Sequence, residues 1–386
     1  MNVVMIASGA LEYTVELANA MSDHHRVNLL VPRHEFAHLE WALDRRVNLH
    51  ALWWPRQRDP RSALFLLDTH QLIERLNPDV VHILSCQTWL NGLMPLLSHC
   101  ALVATTHDVV PHVGDSASRK IPVALSSYSL RRAHRVIVHG EKLKADLIRL
   151  YHLPADRIDI IPHGVLSLYC RLLPGTNSND PASLPADDLA AAQPPTILFF
   201  GRIYKYKGLD YLIDAQPHIT RAVPEARIVI AGRGDDMNQY IARFRQPDRF
   251  DVYNQFIANE QVAELFQRAT VVVLPYIDGS QSGVLQIAYA FGKPVVATRV
   301  GSIQEAVDDG RTGLLVPPCD ARALADAIIE LLRDPARRAL MREQIGRQVA
   351  TRFAWSTIAL ATTETYQRAQ QERRRLTATS CAVTER

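Results

Sequence analysis

VVVLPYIDGSQSGVLQIAYAFGKP, residues 271–294, decides the fold. Four consecutive apolar residues, Val271-Val272-Val273-Leu274, read as a strand buried on both faces, which is how strands of a parallel sheet read. Pro275 ends the run. A loop of small polar residues follows, Asp278-Gly279-Ser280-Gln281-Ser282-Gly283. Then Val284, Leu285, Ile287, Ala288 and Phe291 recur at helical spacing. Gly292-Lys293-Pro294 stops that helix before the next apolar run, Val295-Val296-Ala297. A buried strand, a tight loop and a helix start form the unit that binds anions in open α/β sheets, because free backbone N–H groups collect at the helix N-terminus.

The same alternation runs outward in both directions. Upstream, strands are expected at Asn2–Ala7, Val27–Val31, Val47–Leu52, Asp79–Leu84, Ala101–Thr106, Arg135–Val138 and Ile158–Ile161, with helices at Glu12–Ser22 and Ser62–Leu76. Residues 173–195, LPGTNSNDPASLPADDLAAAQPP, break the pattern and read as a linker. Strands resume at Thr196–Phe200, Arg227–Ala231, Asp251–Phe256, Thr270–Leu274, Val295–Thr298 and Gly313–Val316. Three helical segments close the chain, Asp320–Arg333 with an Asp cap, Pro335–Phe353 and Trp355–Arg374. The expected fold class is α/β, with two Rossmann-like doubly wound parallel-sheet domains. Their bounds are 1–172 and 196–353, followed by a crossing helix at 354–376 and a polar tail at 377–386.

With 386 residues the chain exceeds one ordinary core, in keeping with two domains. A hydrophobic fraction of 47% and a charged fraction of 22% fit a globular protein, and a net charge of +3 is too small to argue for nucleic acid. The five cysteines, Cys86, Cys100, Cys170, Cys319 and Cys381, are scattered without a CxxC pair. That favours a reducing compartment over a zinc site or a disulfide framework. The N-terminal MNVVMIASG reads as a first strand rather than a signal peptide, and no apolar run approaches the length of a membrane span. A cytoplasmic location is expected. Peripheral contact with the inner face of a membrane stays open, through Arg131-Arg132 or Arg373-Arg374-Arg375, whose plain reading is solvated helix faces.

Phe199-Phe200-Gly201-Arg202-Ile203-Tyr204-Lys205-Tyr206-Lys207-Gly208-Leu209 places two cations in a loop between a strand and a helix. Arg202 offers a planar fork and Lys207 a point charge, both suited to a diphosphate. Gly201-Arg202 with Lys207-Gly208 resembles the GR…KG element of retaining glycosyltransferases of family 4 (glycosyl transferase group 1), which have the GT-B architecture. Ile161-Pro162-His163-Gly164, the strand-end Gly232 in Ile230–Gly234, Val300–Glu305, Asp309–Val316 and Phe353-Ala354-Trp355 resemble further family motifs in the same order. The resemblance spans nearly the whole chain.

It implies a sugar moved from a UDP- or GDP-activated donor to a hydroxyl acceptor, a glycan, glycolipid or small metabolite, with no cofactor and no metal. Arg202, Lys207 and His107, in the strand-end Thr105-Thr106-His107-Asp108, would be catalytic. Gly9 in Ser8-Gly9-Ala10, Gly201, Gly232, Asn254, Ile257, Asp278, Ser280, Gln281, Ser282, Gly283, Val284 and Glu305 would line the donor. His112 is a weaker neighbour. His139-Gly140-Glu141 reads as a helix start, and Trp53, Trp54, Trp89 and Trp355 as packing or cleft lining.

The chain departs from that family at the stretch quoted first. Aligning Gly292-Lys293-Pro294 with the family's GKP puts its two donor-binding glutamates at Gly279 and Ile287, neither of which is acidic. Asp278 lies one residue from the first, and Ser280, Gln281 and Ser282 offer hydroxyl and amide groups. The family also places two glycines in the loop after the first strand, where this chain has Gly9-Ala10. Two other outcomes are therefore compatible with the residues: a non-catalytic nucleotide- or partner-binding protein, and a nucleotide-sugar epimerase or hydrolase on the same fold.

Overall fold

The computed structural model describes residues 1–55, 59, 61–84, 91–97, 99–109, 127–173 and 193–384. Most of the expected linker (174–192), Cys86, Trp89, His112 and the loop 110–120 lie outside the described residues. The chain divides into two compact units. The first holds Met1–Val109, residues 127–164 and the helix that begins at Trp355; the second holds Val165–Ala354. The division falls at Gly164, so residues 165–172, grouped above with the first domain, pack with the second. There Leu166 N donates to Gln286 O (3.4 Å), and Cys170 Sγ donates to Ala290 O (3.5 Å).

The first unit is built on seven strands: β1 (Asn2–Ile6), β2 (Arg26–Pro32), β3 (Asn48–Leu52), β4 (Val80–Ile83), β5 (Ala101–Thr105), β6 (Arg135–Val138) and β7 (Ile158–Ile160). They pair in the order β3-β2-β1-β4-β5-β6-β7, all parallel. The strand order reverses between β1 and β4, which makes their carboxyl ends the switch point of the sheet. Val3, Val4, Met5, Val80, Val81 and Ala101 are fully buried, as central strands covered on both faces must be.

The terminal helix, Trp355–Thr384, packs against the helix Leu11–Met21 and against β5 and β6. Polar contacts fix its register. Tyr366 Oη meets His82 Nδ1 at 2.8 Å, and Thr365 Oγ1 donates to Asp159 Oδ2 (3.1 Å). Asp159 also holds Arg135 in a two-pronged ion pair and Arg368 at 3.2 Å. Residues 377–384, expected as a polar tail, continue this helix; their run Thr377-Ala378-Thr379-Ser380 contains no Gly or Pro to stop it.

The second unit repeats the plan with β8 (Thr196–Phe200), β9 (Arg227–Gly232), β10 (Phe250–Asn254), β11 (Val271–Leu274), β12 (Val295–Thr298) and β13 (Gly313–Val316). Their order is β10-β9-β8-β11-β12-β13, again all parallel, with the switch point between β8 and β11. The helices Leu209–Ala222 and Ala321–Arg333 pack together over one face, burying Leu212, Ile219, Leu324, Ile328 and Leu331. Asp320 caps the second of these, its Oδ1 accepting from Arg322 N (3.0 Å) and Ala323 N (2.9 Å). The helix expected over Pro335–Phe353 ends at Ala350. Phe353 is buried and turns its N–H back onto Gln348 O (3.0 Å), which draws the chain out of the helix. Likewise β10 stops at Asn254, because Gln255 N folds back onto Tyr253 O (3.0 Å).

Candidate active site

In the second unit, the loops after β8 and β11 are stitched together at the switch point. Gly201 (φ +111°) and Gly232 (φ +144°) end neighbouring strands. A Cβ on Gly232 would lie 1.8 Å from the Gly201 carbonyl oxygen, so only glycine allows the two backbones to approach. After Gly201 the chain makes a short turn at Lys205–Lys207 and enters the helix at Leu209. Ile277 N donates to Tyr206 O (2.8 Å), tying that turn to the β11 loop.

Lys207 is set by an aromatic platform. Its Nζ sits 3.7 Å from the centre of the Tyr276 ring and 5.0 Å from that of Tyr206. An ammonium over a ring face gains about 0.5–2 kcal/mol. Tyr276 is fully buried, which pushes its hydroxyl pKa up to about 12, so it stays neutral. Tyr276 Oη meets Ser282 Oγ at 3.1 Å. Ser282 caps the helix Gly283–Ala290, accepting from Leu285 N at 3.4 Å. One continuous set of contacts thus runs from the lysine, through the ring, to a capped helix N-terminus. Arg202 is exposed, with its guanidinium carbon 5.7 Å from the Tyr204 ring, and its charge is felt at Tyr276.

The remaining expected residues of this unit divide. Gly279 and Ser280 lie against the turn after β12: Ser302 N donates to Ser280 O (2.9 Å), and a Cβ on Gly301 would strike the Gly279 carbonyl. Val284, at the helix start, faces Gly201. Asp278 is half-buried, and Glu305 is half-buried in the turn of helix Ile303–Ala306. Asn254 is exposed and Ile257 buried beyond the end of β10, two strands away from β8. Ile287, at the second position where the resembling family has a glutamate, is buried among helix residues. Among the described residues, three buried oxygens near this loop have no hydrogen-bond partner, Gln281 Oε1, Gln286 Oε1 and Ser302 Oγ. Sequence patterns do not single out Gln286 or Ser302. Tyr276 carries one signal, its place directly after the strand-ending proline.

In the first unit, Gly9 lies in the turn after β1, and Ala10, before the helix Leu11–Met21, has left-handed backbone angles (φ 49°, ψ 45°). A glycine would fit there without strain, which is where the chain's single-glycine loop differs from the family pattern. His107 follows β5. Its Nδ1 lies 3.0 Å from His139 Nε2, and His139 Nδ1 donates to Ile161 O (2.9 Å). His163 joins them, its ring 5.2 Å from His139 and 5.9 Å from His107, with Nδ1 donating to Gly164 O (2.7 Å). Tyr13 packs edge-on against all three rings and against Trp355. Burial pulls each histidine toward its neutral form: well below the usual range for His107, to about 4 for His139 and to about 3 for His163. His139 does precede a helix start, as expected, since Glu141–Tyr151 is helical. Its ring does more than that. The sequence signal is a histidine within three residues of the end of each of three adjacent strands, β5, β6 and β7.

Among the described residues, no helix is long and apolar enough to cross a membrane, and no group of three or more His, Cys, Asp or Glu side chains could hold a metal ion.

Two parallel sheets of Rossmann order, each with its switch point at strand-end loops, are the two halves of the GT-B fold. Comparison with known proteins agrees. Residues 7–165 match the family model "Glycosyltransferase Family 4" and residues 194–334 the model "Glycosyl transferases group 1". The chain is 33% identical over 318 residues to a D-inositol 3-phosphate glycosyltransferase of Xylanimonas cellulosilytica, covering 76% of this chain and 73% of that one. Among solved structures it is similar to sucrose-phosphate synthase from Thermosynechococcus elongatus (TM-score 0.73, 21% identity, 95% and 98% of the two chains). It is also similar to HepE of Anabaena in complex with UDP and glucose (TM-score 0.70, 19% identity, 95% and 99%). The chain belongs to the family 4, group 1 glycosyltransferases.

Proposed function

We propose that this glycosyltransferase moves a sugar from a nucleotide-diphosphate donor, UDP- or GDP-linked, to a hydroxyl of a polyol, glycan or glycolipid acceptor, with retention at the anomeric carbon and without a metal ion. The observation that carries the reading is Lys207 held over Tyr276, which meets the Ser282 cap of the helix start at the β8/β11 switch point, with the charge of Arg202 felt at the same ring. As the glycosidic bond breaks, negative charge grows on the leaving diphosphate. Two cations and the N–H groups of a helix N-terminus are suited to stabilise that charge, and such electrostatic stabilisation usually lowers the barrier more than any other single effect. The acceptor hydroxyl gives its proton to the departing phosphate on the same face, so the reading requires no separate protein base. His107 contributes a neutral imidazole beside the donor sugar. Asn254 and Ile257 attend the nucleobase, and Asp278, Ser280, Gln281 and Glu305 the sugar and ribose.

A nucleotide diphosphate is supported by the HepE structure, which holds UDP, and a polyol acceptor by the inositol phosphate glycosyltransferase relative. The test is calorimetric titration with UDP, GDP and their sugars, followed by product analysis with inositol phosphate and simple glycans. A folded protein that binds none of the nucleotides refutes the proposal. The non-catalytic reading is favoured by Gly279 and Ile287 at the two acidic positions. Any donor hydrolysis or transfer excludes it.

A further inference from the structure

We propose that His139 is a positioning residue that fixes the tautomer of His107, so that His107 offers its Nε2 lone pair as a hydrogen-bond acceptor. The inference deepens the proposed function and rests on it only for the part His107 plays in turnover.

The assignment starts at a backbone carbonyl. Ile161 O can only accept, so at 2.9 Å the Nδ1 of His139 must carry a proton. In a neutral imidazole the other nitrogen is then an acceptor. That acceptor, His139 Nε2, lies 3.0 Å from His107 Nδ1, which must therefore donate. His107 is left with an unprotonated Nε2. That atom is buried and has no hydrogen-bond partner among the described residues. A buried acceptor without a donor is destabilising, and a ligand that completes the bond removes the cost. The ring planes cannot swing to exchange roles freely. Tyr13 stands edge-on to His107 and His139 at 4.9 and 5.3 Å, and His163, itself committed to Gly164 O, closes the other side.

The chemistry selects the ligand group. A lone pair aimed at the ligand accepts from a hydroxyl or another N–H or O–H donor. It repels a phosphate oxygen, which has no proton to give. His107 is thereby suited to a hydroxyl-bearing part of the substrate rather than to an anionic one. If His139 lost its acceptor, His107 would be free to carry its proton on Nε2 and present the opposite polarity to the same ligand atom.

The experiment combines a spectroscopic and a kinetic readout on the full chain. Histidine-selective ¹⁵N labelling and long-range ¹H–¹⁵N correlation at about pH 7.5 identify which nitrogen of His107 bears the proton. The wild-type signal should be the Nδ1–H form. His139→Phe keeps the ring and removes the acceptor; His107 should then show Nε2–H character. Release of UDP from UDP-glucose or GDP from GDP-mannose should fall about 10–100-fold in kcat, with KM nearly unchanged. His139→Gln, whose amide oxygen reaches the Nε2 position, should restore most of the rate. Should His139→Phe not fold, His139→Asn, whose amide stops short of His107, takes its place. An Nε2–H signal in the wild type overturns the relay. So does unchanged kcat in His139→Phe, or an equal loss in folded His139→Phe and His139→Gln. A wild type that releases nucleotide from neither donor refutes the role of the relay in turnover and the functional reading behind it, and the tautomer signals of the wild type and His139→Phe then still decide the relay itself.

Discussion

Acidification should weaken the first unit well before the second. His82, His139 and His163 are buried as neutral rings, with pKa values held down to about 3, about 4 and about 3 from an ordinary value of 6.5. His107 shifts in the same direction. Desolvation is the leading cause at each. Folded values below the unfolded value mean that the unfolded chain takes up protons first. Their contribution is complete above pH 6.5 and is lost as the pH falls from 6.5 toward the folded values. In that window each such histidine costs about 1.4 kcal/mol per pH unit. At pH 5 that is about 2 kcal/mol per ring, or about 6 for the three with assigned values, against a total domain stability of about 5–15 kcal/mol. The stretch Val165–Ala354 contains a single histidine, His218, so the second unit lacks this liability. Hydrogen exchange read by mass spectrometry across pH 7 to 5 should show peptides of residues 1–109, 127–164 and 355–384 losing protection while those of 196–350 hold theirs. Denaturant titrations should show a matching slope with pH. A first unit whose stability changes by less than one proton's worth, about 1.4 kcal/mol per pH unit, would refute the reading that these rings are buried and neutral.

Arg202→Ala should lower kcat for nucleotide release about 100–1,000-fold while circular dichroism stays native, since the side chain is exposed and, on the proposed function, acts on the charge of the transition state. Ser282→Ala removes the helix cap and the partner of Tyr276 Oη; a loss of about 1 kcal/mol in chemical denaturation is expected, with weaker nucleotide binding by calorimetry. Gly232→Ala drives a Cβ into the Gly201 carbonyl at a backbone angle that L-residues avoid, and should cost about 3 kcal/mol or more, visible as a lowered denaturation midpoint. Ala10→Gly should instead raise stability by about 0.5–1 kcal/mol, because relief of the left-handed strain exceeds the added freedom of the unfolded chain.

The parallel strands are legible because burial on both faces writes itself as an unbroken apolar run: Arg135–Val138, Thr196–Phe200, Val295–Thr298 and Gly313–Val316 are strands over their expected residues. The cap at Asp320 and the helix start at Ser282-Gly283 are legible for a similarly local reason, a side-chain oxygen placed to meet free N–H groups. Legibility fails where a contact is long in sequence. Nothing within ten residues of Lys207 announces that its ammonium sits over Tyr276, or that residues 165–172 belong to the second unit through Gln286 and Ala290. His139 misleads for the same reason. Its local context is a helix start, and only the pairing of β5 with β6 brings it to His107.

The substitution at Gly279 and Ile287 gains a physical meaning from its surroundings. A glutamate at 287 would sit where Ile287 is now 5% exposed, and a charge so placed needs a partner to offset its desolvation. The chain instead keeps that position apolar and sets neutral groups by the loop, Gln281, Gln286 and Ser302, each holding a buried oxygen without a partner among the described residues. Unpaired neutral oxygens cost a few kcal/mol together, far less than an unpaired buried carboxylate. On the proposed function, such a cradle would accept hydrogen bonds from sugar or ribose hydroxyls, with Asp278 the carboxylate of the loop and Arg202 and Lys207 its cations. If that division holds, Gln286→Leu, which removes one such oxygen at nearly constant volume, should weaken binding of a UDP-sugar more than that of pyrophosphate, and the protein should become more stable. Equal loss for both ligands would place the amide on the phosphate side and overturn the division.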